Sequence, residues 1–195
     1  MEIQLSNLSK CYGEPPKTVF SNLNMELRVG MNTLMGPSGI GKTTIANILA
    51  GLTKPDSGDV VMKPQAFVVS CVFQEERLLE YMSAIKNVLL VCPEGKKKLQ
   101  AAKELLCLAG LGDALNKQTA ELSGGMKRRV SLCRALIAEH DLLILDEPFK
   151  GLDAGIKPKI MQMVKDDAKG KIVLCITHDA EEAEFLGGRM LRLPA

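Results

Sequence analysis

The sequence predicts an α/β fold in which a mainly parallel central sheet is built from both ends of the chain. Two unbroken apolar runs, LLILD at 142–146 and IVLCIT at 172–177, have the composition of central parallel strands that are covered on both faces. A third segment, MNTLM at 31–35, leads into a glycine-rich loop and then into the helical pattern TTIANILAGL at 43–52. This alternation of strands, loops and helices favours an α/β architecture.

A small antiparallel β lobe is predicted near the N-terminus. In NLNMELRV at 22–29, polar and apolar residues alternate, so that Leu23, Met25, Leu27 and Val29 would share one buried face. Further strands are predicted for IQLSNL at 3–8, which can pair with this one, VVM at 60–62, FVVSCVF at 67–73 and MLRL at 190–193.

The middle of the chain has helical periodicity. In KKKLQAAKELLCLAGL at 96–111 the apolar positions Leu99, Ala102, Leu105, Leu106 and Ala109 lie along one helix face. We therefore expect a single domain over 1–195. Its core would comprise about 1–74 and 139–195, and a helical lobe would be inserted at about 75–138.

Composition argues against several classes of function. The 195 residues carry a formal net charge of +2 and only 4% aromatic side chains, so neither a basic face nor base-stacking platforms for nucleic acid are expected. No apolar run approaches the roughly 20 residues that span a bilayer, and the N-terminal MEIQLSNLSK lacks the layout of a secretory signal. The six cysteines form no C-x-x-C pair, which predicts reduced thiols and no zinc site. Together these features predict a chain that folds and stays in the cytosol.

The glycine-rich segment GPSGIGKT at 36–43 fits the phosphate-loop pattern G-x-x-x-x-G-K-[ST]. Glycines allow the backbone to turn tightly and to direct its N–H groups at phosphate oxygens, and the following helix adds a positive N-terminal dipole. Lys42 would reach the β- and γ-phosphates, and Thr43 would bind Mg²⁺. A chance glycine turn is the alternative, but the strand before the loop and the helix after it favour nucleotide binding.

The apolar strand in LLILDEP at 142–148 ends in two carboxylates. Asp146 would lie at the carboxyl edge of the sheet, beside the phosphate loop, and would hold Mg²⁺ directly or through water. Glu147 would then polarise an attacking water. The alternative is a strand end with two solvated acids.

A second candidate phosphate site begins LSGGMKRRVSLCRAL at 122–136, where two glycines precede a helical pattern. One ATP needs only one phosphate loop, so the second site is expected to contact the γ-phosphate of a nucleotide held by another copy. Lys42 of one copy and Ser123, Gly124 and Gly125 of the other would enclose each ATP in a two-fold pair.

Five motifs in order, GPSGIGKTT, VFQEERLL, LSGGMKRRVSLCRAL, LLILDEPFKGLD and ITHDAEEA, resemble the ATP-binding-cassette (ABC) ATPases over nearly the whole chain. The resemblance implies a P-loop NTPase core and Tyr12 stacked on adenine. It assigns the other ATP contacts to Gly36, Pro37, Ser38, Gly39, Ile40, Gly41, Lys42, Thr43 and Thr44. The resemblance also implies a set of signature residues that contact the partner's ATP: Leu122, Ser123, Gly124, Gly125 and Met126.

The resemblance also implies catalytic roles. Glu147, His178 and Gln74 would act in hydrolysis, with His178 at the γ-phosphate and Gln74 sensing both this phosphate and the metal. Thr43, Gln74 and Asp146 would bind Mg²⁺, and Asp153 would cross the dimer interface. Two positions depart from the common pattern: Met126 replaces glutamine, where function should survive, and Gly151 replaces alanine, which would loosen the interface loop.

The resemblance implies an ATP-hydrolysing transporter subunit, peripheral on the cytoplasmic face of the cell membrane. The expected partners are a second copy or a related cassette, and integral membrane permease subunits. Its motifs are most similar to importer cassettes for nitrate, sulfonate and taurine, which would add an extracytoplasmic solute-binding protein. The apolar residues Leu78, Leu79, Tyr81 and Met82 would either receive a short permease helix or pack the helical lobe.

Three other functions stay open from the sequence. One is an exporter or lipid-system cassette. Another is a non-transport ABC ATPase acting on DNA or ribosomes, although such chains carry coiled-coil insertions, zinc-binding cysteines or a second cassette. The third is a small-molecule kinase, which leaves LSGG and His178 without a role.

Overall fold

The computed structural model of the chain describes residues 1–65, 67–93 and 95–193. The strands are β1 (Glu2–Tyr12), β2 (Lys17–Arg28), β3 (Gly30–Met35), β4 (Ser57–Lys63), β5 (Val69–Val72), β6 (Leu142–Asp146), β7 (Ile172–Ile176) and β8 (Arg189–Arg192). The helices are α1 (Lys42–Leu49), α2 (Ala84–Leu89), α3 (Gly95–Leu108), α4 (Gly124–Ile137), α5 (Lys157–Asp167) and α6 (Ala180–Leu186). The chain divides into two compact units, one of Met1–Cys71, His140–Glu147 and the part from Ala168 onward, the other of Val72–Glu139 and Pro148–Asp167.

The first unit contains the predicted antiparallel sheet, with strand order β2-β1-β4. Ile3 is opposite Leu27 and Leu5 is opposite Met25, so the alternating apolar residues of both strands point to the same face. All four side chains are buried in the hydrophobic core. The prediction of an antiparallel strand paired with the start of the chain is therefore confirmed for residues 22–28.

The prediction that Val29 shares this buried face is wrong. Strand β2 ends at Arg28, and the side chain of Val29 is 47% exposed. The amide of Asn32 explains the end of the strand, because its Oδ1 accepts the Arg28 N–H at 3.2 Å and its Nδ2 donates to the Arg28 carbonyl at 2.8 Å. The backbone is thereby diverted into β3, and the alternation stops one residue early.

The central sheet also belongs to the first unit and has the strand order β5-β6-β7-β3-β8. Pairing is parallel between β6 and β7, between β7 and β3, and between β3 and β8. Every residue of β6 and β7 is buried, as the unbroken apolar runs predict. The mainly parallel α/β core is confirmed, and its carboxyl edge carries the residues that follow β3, β6 and β7.

Helix α1 follows the glycine loop as predicted but is shorter than the pattern at 43–52. It ends at Leu49, and Gly51 adopts a left-handed φ of 71°. The Gly51 N–H donates to the Ile48 carbonyl at 3.0 Å, and the Leu52 N–H donates to the Asn47 carbonyl at 2.9 Å. A glycine just past the last helical turn is the usual helix stop, so residues 50–52 form the turn rather than a continuation.

The second unit is mainly helical and contains α2, α3, α4 and α5. Helix α3 buries Ala102 and Leu106, the following Ala109 is also buried, and Leu99 and Leu105 are half-buried on the same side. Helix α4 buries Val130, Leu132 and Cys133 in the same unit. Burial raises the pKa of the Cys133 thiol to about 12, so this cysteine acts as a small hydrophobic side chain. In the part of the chain that the structure describes, we find no helix with the length and apolarity needed to cross a bilayer.

Candidate functional site

The phosphate loop joins β3 to α1 in the first unit. Gly41 is the residue before the helix and has a φ of 107°, a conformation that side chains disfavour. A Cβ atom at this position would also lie 2.6 Å from Cγ1 of Val19 and 3.1 Å from the ring of Phe20. Both the backbone conformation and the packing against β2 therefore require glycine here.

Lys42 is folded back over this loop. Its ammonium group donates hydrogen bonds to the carbonyl of Gly36 at 2.7 Å and to that of Pro37 at 2.9 Å, and the residue is buried. The positive charge is thus held at the loop by two backbone acceptors. Among the other loop residues, Pro37, Ser38 and Gly39 are exposed, while Ile40 and Thr44 are half-buried.

Thr43 and Asp146 meet at the carboxyl edge of the parallel sheet. Asp146 is the last residue of β6 and is 1% exposed, and its Oδ2 accepts the hydroxyl of Thr43 at 2.7 Å. Hydroxyl and carboxylate oxygens are the hard donors that Mg²⁺ takes from proteins. The donor set therefore fits the metal that the sequence predicts at these two residues.

Glu147 follows Asp146 in a left-handed conformation with a φ of 51°, which is uncommon for any residue except glycine. Its N–H donates to the Ile176 carbonyl at 3.0 Å, so the end of β7 stabilises this turn. Its Oε1 lies 2.8 Å from Nδ1 of His178, whose side chain is 63% exposed while that of Glu147 is 11% exposed. The contact leaves the other ring nitrogen, Nε2, available to a ligand.

The buried thiol of Cys175 indicates how closely the acidic side chains gather at this strand end. Burial raises the pKa of Cys175 well above its ordinary value, and the negative charges of Glu182, Glu147 and Asp146 raise it further. Contacts place all three residues at this strand end: Asp146 is opposite Ile176, the Glu147 N–H donates to the Ile176 carbonyl, and Glu182 accepts the Thr177 hydroxyl.

A group of residues around His178 was not identified from the sequence. The Thr177 hydroxyl donates to Oε2 of the buried Glu182 at 2.5 Å and accepts the N–H of Asp179 at 3.1 Å. The carboxylate of Asp179 accepts the N–H groups of Glu181 and Glu182, which starts helix α6. The D-x-x-E spacing at 179–182 is a helix-start signal that could have predicted this turn.

A cavity of about 460 Å³ opens beside the phosphate loop in the first unit. It is mostly apolar and has His178 and Arg192 among its polar wall residues. Its other walls are Met35, Gly36, Pro37, Ile40 and Leu193.

Tyr12, the residue assigned to adenine, is the last residue of β1 and is 46% exposed. The ammonium group of Lys10 lies 5.3 Å from the centroid of its ring. The same ammonium group forms an ion pair with Asp56 at 2.6 Å. The ring is thus an accessible aromatic surface that already packs against a cation.

The LSGG motif lies in the second unit, at the start of α4. Ser123 is the residue before the helix, and its hydroxyl accepts the Met126 N–H at 3.3 Å. A Cβ atom on Gly125 would lie 2.9 Å from the carbonyl oxygen of Gly151, so the helix start packs directly on that loop. Gly151 itself has a φ of 75°, a conformation that glycine adopts more readily than the usual alanine.

The remaining predicted site residues also belong to the second unit. Gln74 and Asp153 are exposed, and Leu122 is buried ahead of the glycines. The Asp153 carbonyl accepts the N–H groups of Ile156 and Lys157 and so leads into α5. The structure thus brings the phosphate loop, Asp146, Glu147 and His178 together in one unit and holds Gln74, the LSGG motif and Asp153 in the other.

Comparisons with known proteins agree with the motifs. The sequence model of the family described as ABC transporter matches residues 20–150. The chain is 39% identical over 200 residues to the aliphatic sulfonates import ATP-binding protein SsuB 3 of Rhodococcus jostii, covering 99% of this chain and 71% of that protein. It is 36% identical over 210 residues to the bicarbonate transport ATP-binding protein CmpD of Synechococcus elongatus, covering 97% of this chain and 74% of that protein.

The fold is similar to that of solved cassettes. A dimeric structure of the ATP-binding cassette MJ0796, in a post-hydrolysis state bound to ADP and Pi, superimposes with a TM-score of 0.87 at 31% sequence identity. The similarity covers 98% of this chain and 94% of the other.

Proposed function

The chain belongs to the ABC transporter family of ATP-binding, ATP-hydrolysing cassettes, and we propose that it is the ATPase subunit of an importer of a small solute. In this proposal it is one nucleotide-binding domain, with a core at about 1–74 and 139–195 and a helical lobe at about 75–138. It lies on the cytoplasmic face of the membrane against its permease.

The first half of the proposed ATP site is formed by the first unit. The backbone N–H groups of 36–44, apart from Pro37, which has none, and the ammonium group of Lys42 bind the β- and γ-phosphates, with Tyr12 against adenine. Thr43 and Asp146 would hold Mg²⁺, which when bound neutralises phosphate charge. Support comes from the 2.7 Å contact between Thr43 and Asp146, which joins a loop hydroxyl to a buried carboxylate.

Glu147 and His178 form the proposed hydrolytic pair. Glu147 accepts a proton from the attacking water, and His178 contacts the γ-phosphate through Nε2 while Nδ1 faces Glu147. The 2.8 Å contact between them supports the assignment, because it orients both the base and the ring. We also assign to Gln74 the role of sensing the γ-phosphate.

The second half of the site comes from another copy of the chain or from a related cassette. The observation that carries this proposal is that the chain has one complete phosphate loop and a separate helix start at Ser123, which is followed by the exposed Gly124. Leu122–Met126 of one copy would cover the γ-phosphate held by Lys42 of the other, and Asp153 would cross the interface. The dimeric cassette of similar fold supports this arrangement.

Import of a small anion is the transport reaction that we propose. The two relatives are named for import of aliphatic sulfonates and transport of bicarbonate, both small anions, and this favours import over export. The solute would be bound by the permease and by an extracytoplasmic solute-binding protein rather than by this chain. Leu79 and Tyr81 are exposed apolar side chains in the second unit and are candidates to receive a permease helix.

Two variants test the ATP site. Lys42→Ala should abolish hydrolysis and weaken ATP binding, because it removes the cation held at the phosphate loop. Ser123→Arg should abolish hydrolysis but leave ATP binding to the monomer within about twofold, because it obstructs only the site offered to the partner. Loss of ATP binding in Ser123→Arg would mean that the LSGG motif serves its own chain's nucleotide.

Uptake assays test the direction of transport. Cells that express the chain with its permease should accumulate labelled ethanesulfonate or bicarbonate, and Lys42→Ala should abolish the accumulation. Efflux that depends on Lys42, with no uptake, would contradict an importer.

A further inference from the structure

The segment that carries Gln74, residues 73–77, lies between β5 and α2 in the chain and has no regular secondary structure. Such a segment cannot fix the position of a catalytic side chain by its own backbone hydrogen bonds. Its carbonyl groups are instead bound by side chains from one face of helix α4, the helix that begins at the LSGG motif.

Arg128 makes two of these contacts and is 5% exposed. Its Nη1 donates to the Phe73 carbonyl at 2.5 Å, and its Nη2 donates to the Gln74 carbonyl at 2.8 Å. The guanidinium group is a planar fork of donors, so it can bind two successive carbonyls at once. Its Nε also lies 3.9 Å from Oε1 of Glu76.

Two further residues of α4 extend this contact. Ser131 and Arg134 follow Arg128 at spacings of three, which places all three on one helix face. The Ser131 hydroxyl donates to the Glu76 carbonyl at 2.8 Å. Arg134 donates to the same carbonyl at 3.1 Å and to the Arg77 carbonyl at 2.9 Å. Segment 73–77 is therefore held to α4 along nearly its whole length.

We propose that Arg128 is a positioning residue that fixes Gln74 relative to the LSGG end of α4. A continuous helix of 14 residues joins Ser123 to the three donors, so a displacement of segment 73–77 is transmitted to the helix start. Gln74 and Ser123 then move together during the ATPase cycle. The inference rests on the proposed role of Gln74 at the γ-phosphate.

A double-mutant cycle tests whether Arg128 acts through Gln74. Arg128→Met keeps the length of the apolar stem and removes the donors to both carbonyls. We expect kcat to fall about tenfold, since a misplaced catalytic group costs rate, while the affinity for a fluorescent ATP analogue stays within about twofold. In a Gln74→Ala background the same substitution should change kcat by less than about twofold.

Two additional variants control the cycle. Lys127→Met removes the neighbouring cation, whose Nζ contacts the exposed Glu80 at 3.3 Å, and should leave kcat unchanged. Arg128→Lys keeps a single charged donor nitrogen and should restore part of kcat. This variant replaces Arg128→Met in the cycle if the methionine variant fails to fold.

The outcomes separate this inference from the proposed function. An equal loss of kcat in both backgrounds would overturn the positioning role and leave Arg128 as a support of the fold alone. A Gln74→Ala variant with unchanged kcat would overturn the role of Gln74 itself, and the inference with it.

Discussion

Replacing Thr177 by valine should destabilise the first unit, although the two side chains have nearly the same shape. The Thr177 hydroxyl donates to the buried carboxylate of Glu182 and accepts the N–H of Asp179. Valine can do neither, so the carboxylate loses a donor while it stays 4% exposed. The turn that presents His178, the residue between Thr177 and Asp179, loses both hydrogen bonds.

The magnitude follows from the kinds of hydrogen bond that are lost. A hydrogen bond to a charged group contributes about 1.5–3 kcal/mol, and one from a backbone amide contributes about 0.5–1.5 kcal/mol. The free energy of unfolding should therefore fall by about 3 kcal/mol. For a chain of this size that corresponds to a Tm lower by roughly 6–12 °C.

Thermal unfolding followed by circular dichroism measures this change. The exposed Thr18→Val on β2 is the matched control and should shift Tm by less than about 2 °C. The double variant Thr177→Val, Glu182→Met should recover part of the loss, because it removes the buried carboxylate together with one of its donors. A Thr177→Val protein with the wild-type Tm, or a double variant no more stable than the single one, would refute the reasoning.

Two other predictions concern residues of the second unit. Gly125→Ala should lower kcat at least about tenfold while ATP binding to the monomer is retained. The new methyl group would lie 2.9 Å from the Gly151 carbonyl oxygen and must displace the helix start. A normal steady-state rate of ATP hydrolysis would contradict this packing. Iodoacetamide at pH 8 should label the exposed Cys107 but not Cys133 in the native protein, because the pKa of about 12 leaves almost no thiolate at position 133. Mass spectrometry of the peptides measures the labelling of both cysteines. Rapid labelling of Cys133 in the native protein would contradict its burial.

The sequence predicts most of the first unit because its strands have simple hydrophobic patterns, either unbroken or alternating. An unbroken apolar run such as LLILD is stable as a strand only when both faces are buried. The alternating run at 22–29 is stable when only one face is buried. The errors occur where a single side chain ends an element. The amide of Asn32 ends β2 before Val29, and no periodicity in the sequence indicates that contact.

The candidate site is predictable where its motif has fixed spacing and is missed where it depends on contacts between distant positions. The phosphate loop and the LLILDEP motif locate Lys42 and Asp146 from spacing alone. The contact of Arg128 with the Gln74 carbonyl joins residues 54 positions apart, and nothing in the letters around either residue indicates it. The left-handed φ of Glu147 is likewise a property of the folded turn and not of local propensity.

The central claim is that two copies pair around ATP, so that one chain contributes the phosphate loop of each site and the other chain contributes the LSGG motif. The most direct measurement is the mass of Glu147→Gln in solution by light scattering, with and without MgATP. Removing the carboxylate should leave ATP unhydrolysed, so we predict that the mass doubles with MgATP and that adding Ser123→Arg abolishes the doubling. A Glu147→Gln protein that stays monomeric while saturated with ATP would contradict the pairing of this chain with itself.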